Sequence, residues 1–162
     1  LAEAHFQLKG YDDVTRTVAD IKRQRPQSKV LYKANEILGR SLMKQPRPDF
    51  DQARAAFARV IASTEGRKTQ TAASCHLRMA ETFLLQKNYQ EARKQFLAVQ
   101  ILYNYPEIQA AALFQAAGCQ GQLKEYQQAV NTLELLLKEY PRSRFTNMAK
   151  MKLPQLRQLA NK

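Results

Sequence analysis

The chain has 162 residues, 44% apolar and 25% charged, and carries a net charge of +12 from 26 basic and 14 acidic side chains. That balance excludes an intrinsically disordered chain, and no stretch approaches the roughly 20 continuous apolar residues of a membrane-spanning helix. Only five glycines and six prolines punctuate a sequence rich in Ala, Leu, Gln, Lys, Arg and Glu, so few sharp turns and many helices are expected.

The N-terminus reads LAEAHFQLKG, without the basic-then-apolar order of a signal peptide. The expectation is that Leu1 is an internal position of a longer chain or a mature start after processing. From Tyr11 the first long helix is predicted, with Val14, Val18 and Ile21 at offsets 3, 7 and 10. Those offsets lie on one helical face. The pattern then recurs. Phe50 is followed by Ala53, Phe57 and Val60, Tyr89 by Ala92, Phe96 and Val99, and Tyr126 by Ala129, Leu133 and Leu136. The four aromatics are 39, 39 and 37 residues apart. One such stripe is ordinary, but four at near-constant spacing indicate a structural repeat.

Each stripe follows a second helical segment that contributes a small residue. Ala2, Ala80 and Ala117 lie nine residues before Tyr11, Tyr89 and Tyr126. Leu38–Gly39 precedes Phe50 by two residues more, which the loop Gln45-Pro46-Arg47-Pro48 accounts for. Small residues let two antiparallel helices approach closely, so each unit is read as a helical hairpin. Pro26, Pro106 and Pro141 are read as the unit ends, because proline stops a preceding helix. Asp12, Asp49, Asp51, Glu91 and Glu125 sit at the starts of the second helices, where the helix dipole favours negative charge. Ser143–Lys162 forms one more amphipathic segment through Phe145, Met148, Ala149, Met151, Lys152 and Leu153, and Pro154 is expected to kink or restart it. The predicted organisation is an array of about four hairpins over 1–141, the first truncated, closed by a basic capping helix over 142–162.

Catalytic constellations are lacking. Cys75 and His76 are adjacent and point about 100° apart on a helix, so they form no nucleophile–base pair. Asp49 and Asp51 flank Phe50 as caps, and Gly118-Cys119-Gln120-Gly121 lies inside a hairpin and is no phosphate cradle. Cys75 and Cys119 lack disulfide or metal spacing and are read as buried apolar residues. No enzyme activity, metal or cofactor is expected. The charge is uneven. Twelve basic residues between Lys22 and Lys68 face only Glu36, Asp49, Asp51 and Glu65, and from Arg142 onward six basic residues face no acid. An acidic protein partner, a nucleic acid, an anionic membrane surface or a merely solvated basic face all remain open on charge alone.

With the repeats laid out, the chain resembles the tetratricopeptide repeat family, whose units run W-x2-L-G-x2-Y, then Ala, an aromatic and a closing Pro, over about 34 residues. Tyr126, Ala129, Leu133 and Pro141 fit, as do Leu38–Gly39, Tyr89, Ala92 and Phe96, although Trp is missing and the spacing is longer. Tyr140-Pro141-Arg142-Ser143, with Ala149 and Leu153, resembles a bacterial envelope subgroup that includes the Tol–Pal coordinator and outer-membrane assembly lipoproteins, which implies a periplasmic or envelope setting. The resemblance implies an all-α, right-handed superhelical solenoid of antiparallel hairpins that binds other proteins without catalysis.

It further implies that the first helix of each hairpin lines a concave groove. Those positions are Lys33, Glu36, Arg40, Met43 and Lys44; then Ser74, Leu77, Arg78, Glu81 and Leu84; then Ala111, Phe114, Gly118 and Gly121. The groove would be charged at one end and apolar at the other, suited to a partner with acidic and apolar segments. The alternative is that Leu77, Leu84 and Phe114 pack against other helices of the array. The Lys/Asn set by which the chaperone-binding subgroup clamps a terminal carboxylate is missing, so that function is not expected. Nucleic-acid reading by one side chain set per repeat is not expected either, because the corresponding positions vary in type.

Overall fold

The computed structural model of the protein describes residues 1–161, and among them lie nine helices and no strand. Lys162, the last residue of the expected cap, falls outside the described residues. The helices are α1 (Ala2–Gln7), α2 (Tyr11–Gln24), α3 (Leu31–Lys44), α4 (Phe50–Ala62), α5 (Gln70–Leu85), α6 (Tyr89–Leu102), α7 (Pro106–Gln122), α8 (Tyr126–Glu139) and α9 (Thr146–Ala160). All four repeat aromatics are the first residue of an even-numbered helix. The stripe residues that follow them in α4, α6 and α8, and Val14 and Val18 in α2, are fully buried.

Local chemistry explains where these helices start. The Asp49 carboxylate accepts the Gln52 amide at 2.9 Å and the Asn88 side chain accepts the Glu91 amide at 3.2 Å, each satisfying a donor that the first turn leaves open. Asp12, Asp13, Asp51 and Glu91 place negative charge in the first turns. The short turns inside the hairpins use an unexpected residue. Lys9, Lys87 and Lys124 stand two residues before their aromatics with φ of 60°, 59° and 61°. In each case the next residue donates its amide back into the preceding helix, as Glu125 does to the Gln120 carbonyl at 2.9 Å. This is the two-bond closure in which glycine ordinarily takes the left-handed position.

The chain divides into two compact units, Leu1–Thr82 and Phe83–Lys162. In the first, α1, α2 and α3 share a core of Ala2, Phe6, Val14, Val18 and Ala34, and α3 packs along α4. Gly39 lies so close to Phe57 that an added Cβ would collide with its ring. In the second, α7 packs on α6 and α8, and α9 packs on α8. Ala117 of α7, Leu133 and Leu136 of α8, and Ala149 and Leu153 of α9 belong to one core cluster.

Two proline readings are corrected. Pro106 does not close the third unit but is the first residue of α7, where its missing N–H would be unsatisfied anyway. Pro154 does not restart the tail, since α9 runs through it as one helix. Pro154 and Lys150 are both exposed, so the Lys150 carbonyl left without an amide partner is solvated.

Replacing Gly39 by Ala should destabilise the chain by about 1–3 kcal/mol through overpacking against Phe57. Replacing Lys124 by Gly should stabilise it by about 0.5–1 kcal/mol by removing a left-handed side chain. Denaturant unfolding of both variants checks these opposite signs.

Candidate protein-binding surfaces

In the first unit the first-helix positions of α3 and α5 gather a charged cluster. Arg40 bridges Glu3 at 3.4 Å and Glu36 at 3.3 Å, and its guanidinium lies 4.2 Å from the Phe6 ring centroid. The Lys44 ammonium is 5.6 Å from the same ring. Burial pushes the Glu36 carboxyl above the usual glutamate range, opposed by Arg40 and Arg78 and reinforced by Glu3. Burial likewise raises Glu81, opposed by Arg78. Arg78 is half-buried between these demands, and its Nε has no hydrogen-bond partner. Lys33 is exposed on the rim of a recess of about 380 Å³ that Glu3, Glu36, Gln70, Thr71 and Ser74 help to line. Met43 and Leu77 are half-buried.

The expected positive end of the groove is thus largely compensated within the chain. Arg40, one of the expected groove positions, is shared by two carboxylates. The Glu36–Arg40 pair was legible as an i, i+4 spacing. The pairing with Glu3, 37 residues away, had no signal in the sequence.

In the second unit Leu84 is half-buried near the end of α5. Phe114 does not stand open. Its ring centroid lies 5.6 Å from that of Phe145, just ahead of α9, and the Lys152 ammonium sits 4.9 Å over it. A Cβ at Gly121 would touch Leu156 of α9 at 3.7 Å, and Ala111 is buried. Only around Gly118 does the added Cβ meet nothing within 4 Å. The packing alternative weighed for Phe114 is the arrangement found, with α9 as the neighbour. The Tyr140-Pro141-Arg142-Ser143 segment has a structural task in the same place. The Ser143 hydroxyl binds the Glu107 carboxylate at 3.1 Å, and the Thr146 hydroxyl donates to the Tyr140 carbonyl at 3.0 Å.

Groups that might have carried chemistry are otherwise engaged. Asp49 caps α4 and Asp51 pairs with Arg54. Cys75 and Cys119 are fully buried, and desolvation pushes their thiols up to about 12 and about 11, so both stay protonated and unreactive at neutral pH. Among the described residues no group of three or more His, Cys, Asp or Glu side chains could hold a metal ion, and no helix is long and apolar enough to cross a membrane.

In the hairpin of α7 and α8, residues 111–143 match the tetratricopeptide repeat family model. Over those residues the chain is similar to a tetratricopeptide repeat. A likeness of fold alone spans the whole length. The chain is similar to the crystal structure of a Podosopora anserina protein described as a kinesin light chain with nearly identical tetratricopeptide-like repeats. The two share 17% identity over 99% of this chain and 84% of that one, with a TM-score of 0.71, a likeness of fold. No curated protein matches the chain.

Because Glu81 titrates above the ordinary value of 4.5, its ionisation opposes folding. Its contribution is fully present below the unfolded pKa and is lost as pH rises through the folded one. Glu81→Gln should therefore flatten the fall of stability with pH above 4.5, which unfolding titrations at several pH values would show. Phe114→Ala should destabilise the chain by about 2 kcal/mol or more through its contacts with Phe145, measured as a lowered unfolding midpoint.

Proposed function

We propose that this protein is a non-catalytic scaffold that holds a peptide or helix of a partner protein against the first-helix faces of its hairpins. Tetratricopeptide repeats generally mediate protein–protein interaction, and scaffolds of this kind are generally non-catalytic. The observation that carries the reading is the polar recess beside α3 and α5. Its rim presents the exposed Lys33 next to a compensated Glu3–Arg40–Glu36 network. The contact set in the first unit is Lys33, Arg40, Met43, Lys44, Leu77, Arg78 and Glu81. In the second unit it is Leu84, Phe114, Gly118 and Gly121, with Phe114 half-buried beside Phe145.

Lys33 and Lys44 are the exposed cations of the first face, and acidic groups on a partner complement them. Half-buried Leu77 and Met43 supply apolar contact. Opposed charges held in a half-buried network cost desolvation when covered, so apolar anchors supply the affinity and the lysines steer the approach. The Tyr140–Ser143 segment supports a finer placement among the bacterial envelope tetratricopeptide proteins, and with it an envelope partner.

The test starts from a partner captured by the intact chain. Lys33→Glu should slow association and reduce its salt dependence, and Leu77→Ala should speed dissociation by about tenfold or more, with both variants melting close to the parent. Unchanged association and dissociation in both variants would place the binding face elsewhere.

A further inference from the structure

A second recess in the first unit lies away from the first-helix face, at the edge where the loops between hairpins run. It holds about 560 Å³ and is walled by the end of α2, the start of α3, the end of α4 and the turn after it. Two cations point into it, Lys22 from α2 and Arg59 from α4, and neither is in an ion pair. Burial lowers the Lys22 ammonium from its ordinary value, and the Arg59 charge lowers it further. Two like charges converge here, and the one acid on the rim, Glu65, bridges neither.

The start of α3 adds to the positive field. Val30 gives no side-chain cap and the first turn has no acidic residue, so no carboxylate offsets the dipole of this 14-residue helix, while the Leu31 and Lys33 amides donate to the Ser28 and Val30 carbonyls. A further polar group lines the same space. Asn35 is 4% exposed; its amide donates to the Leu31 carbonyl at 3.0 Å, and its buried Oδ1 accepts nothing. A buried acceptor without a donor is costly unless something supplies one. The wall itself is firm. Ser63 donates its hydroxyl to the Val60 carbonyl and accepts the Gly66 amide, and a Cβ at Gly66 would clash with Ser63 Oγ and the Val60 carbonyl.

We infer that this recess binds an anionic side chain of an extended peptide segment, its acid group between Lys22, Arg59 and the start of α3 and its backbone N–H on Asn35 Oδ1. A carboxylate and a phosphate ester offer the same charge and acceptors, so acidic and phosphorylated peptides are two sources of one chemistry. The peptide N–H distinguishes both from a free inorganic anion, because it supplies the donor that Asn35 lacks. This site is independent of the first-helix face and extends the interaction surface of the unit to its loop edge.

The experiment follows the backbone amides of the isotope-labelled full chain by NMR during titration with short capped peptides. The central residue is glutamate, phosphoserine or glutamine, and a single-stranded oligonucleotide is titrated separately. Saturable shifts at Leu31–Asn35 and Ser63–Glu65 are expected with glutamate, phosphoserine or both, and none with glutamine. The stronger of the two anionic peptides identifies the source. Arg59→Gln should weaken that peptide by about tenfold, the loss of one charge-assisted hydrogen bond, without lowering the melting temperature, because the repulsion with Lys22 is relieved. Lys22→Gln gives a second reading should Arg59→Gln fail to fold. Equal shifts with glutamine, no saturable shift with either anionic peptide, tighter saturation of the same amides by the oligonucleotide, or unchanged affinity in a folded variant would each overturn the inference.

Discussion

The ring of Phe57 lies against the bare backbone of Gly39, and the packing of α3 on α4 follows from that contact. A first helix with a small residue at this level lets the second helix approach until its large side chain is fully enclosed. The repeat keeps the same arrangement with other residues, since Ala80, Ala117 and Ala2 are all buried at the corresponding position. Once each hairpin has spent its stripe on its own interior, a flank of the first helix beside the small residue is free to be polar. Glu36, Arg40 and Glu81 show that it is. The constraint that builds the fold therefore also decides which residues remain for binding.

The same constraint made the fold readable. An aromatic with apolar residues at offsets 3, 7 and 10 is a local pattern, and four copies fixed the helix starts at Tyr11, Phe50, Tyr89 and Tyr126. What stayed hidden was set by backbone freedom or by distance along the chain. Lysine at a left-handed turn position has no compositional mark, because glycine is the residue that signals it. Pro154 starts no new helix, because the carbonyl it leaves without a partner lies on an exposed face and α9 continues through it. The candidate site was legible as positions on the first helices but not as chemistry. Nothing in the sequence marks Glu3 as the neighbour of Arg40, or Phe145 and Lys152 as the neighbours of Phe114.

The two units consequently offer different surfaces. The first presents half-buried charges that satisfy one another and a rim lysine, together with a loop-edge recess whose cations lack a counter-ion. The second encloses its aromatic beneath the segment leading into α9 and leaves open ground around Gly118. Electrostatic frustration at Lys22 and Arg59 and compensation at Arg40 are opposite states. In a basic chain the uncompensated pair marks the place where a ligand's charge gains most.

The claim that small-against-large packing organises each hairpin is tested most directly by a double-mutant cycle on Gly39→Ala and Phe57→Leu, read by denaturant unfolding. Shrinking the ring opens room for the added methyl, so the double variant should be more stable than the sum of the single effects by about 0.5 kcal/mol or more. Strict additivity of the two substitutions would show that Gly39 and Phe57 do not set the approach of α3 and α4.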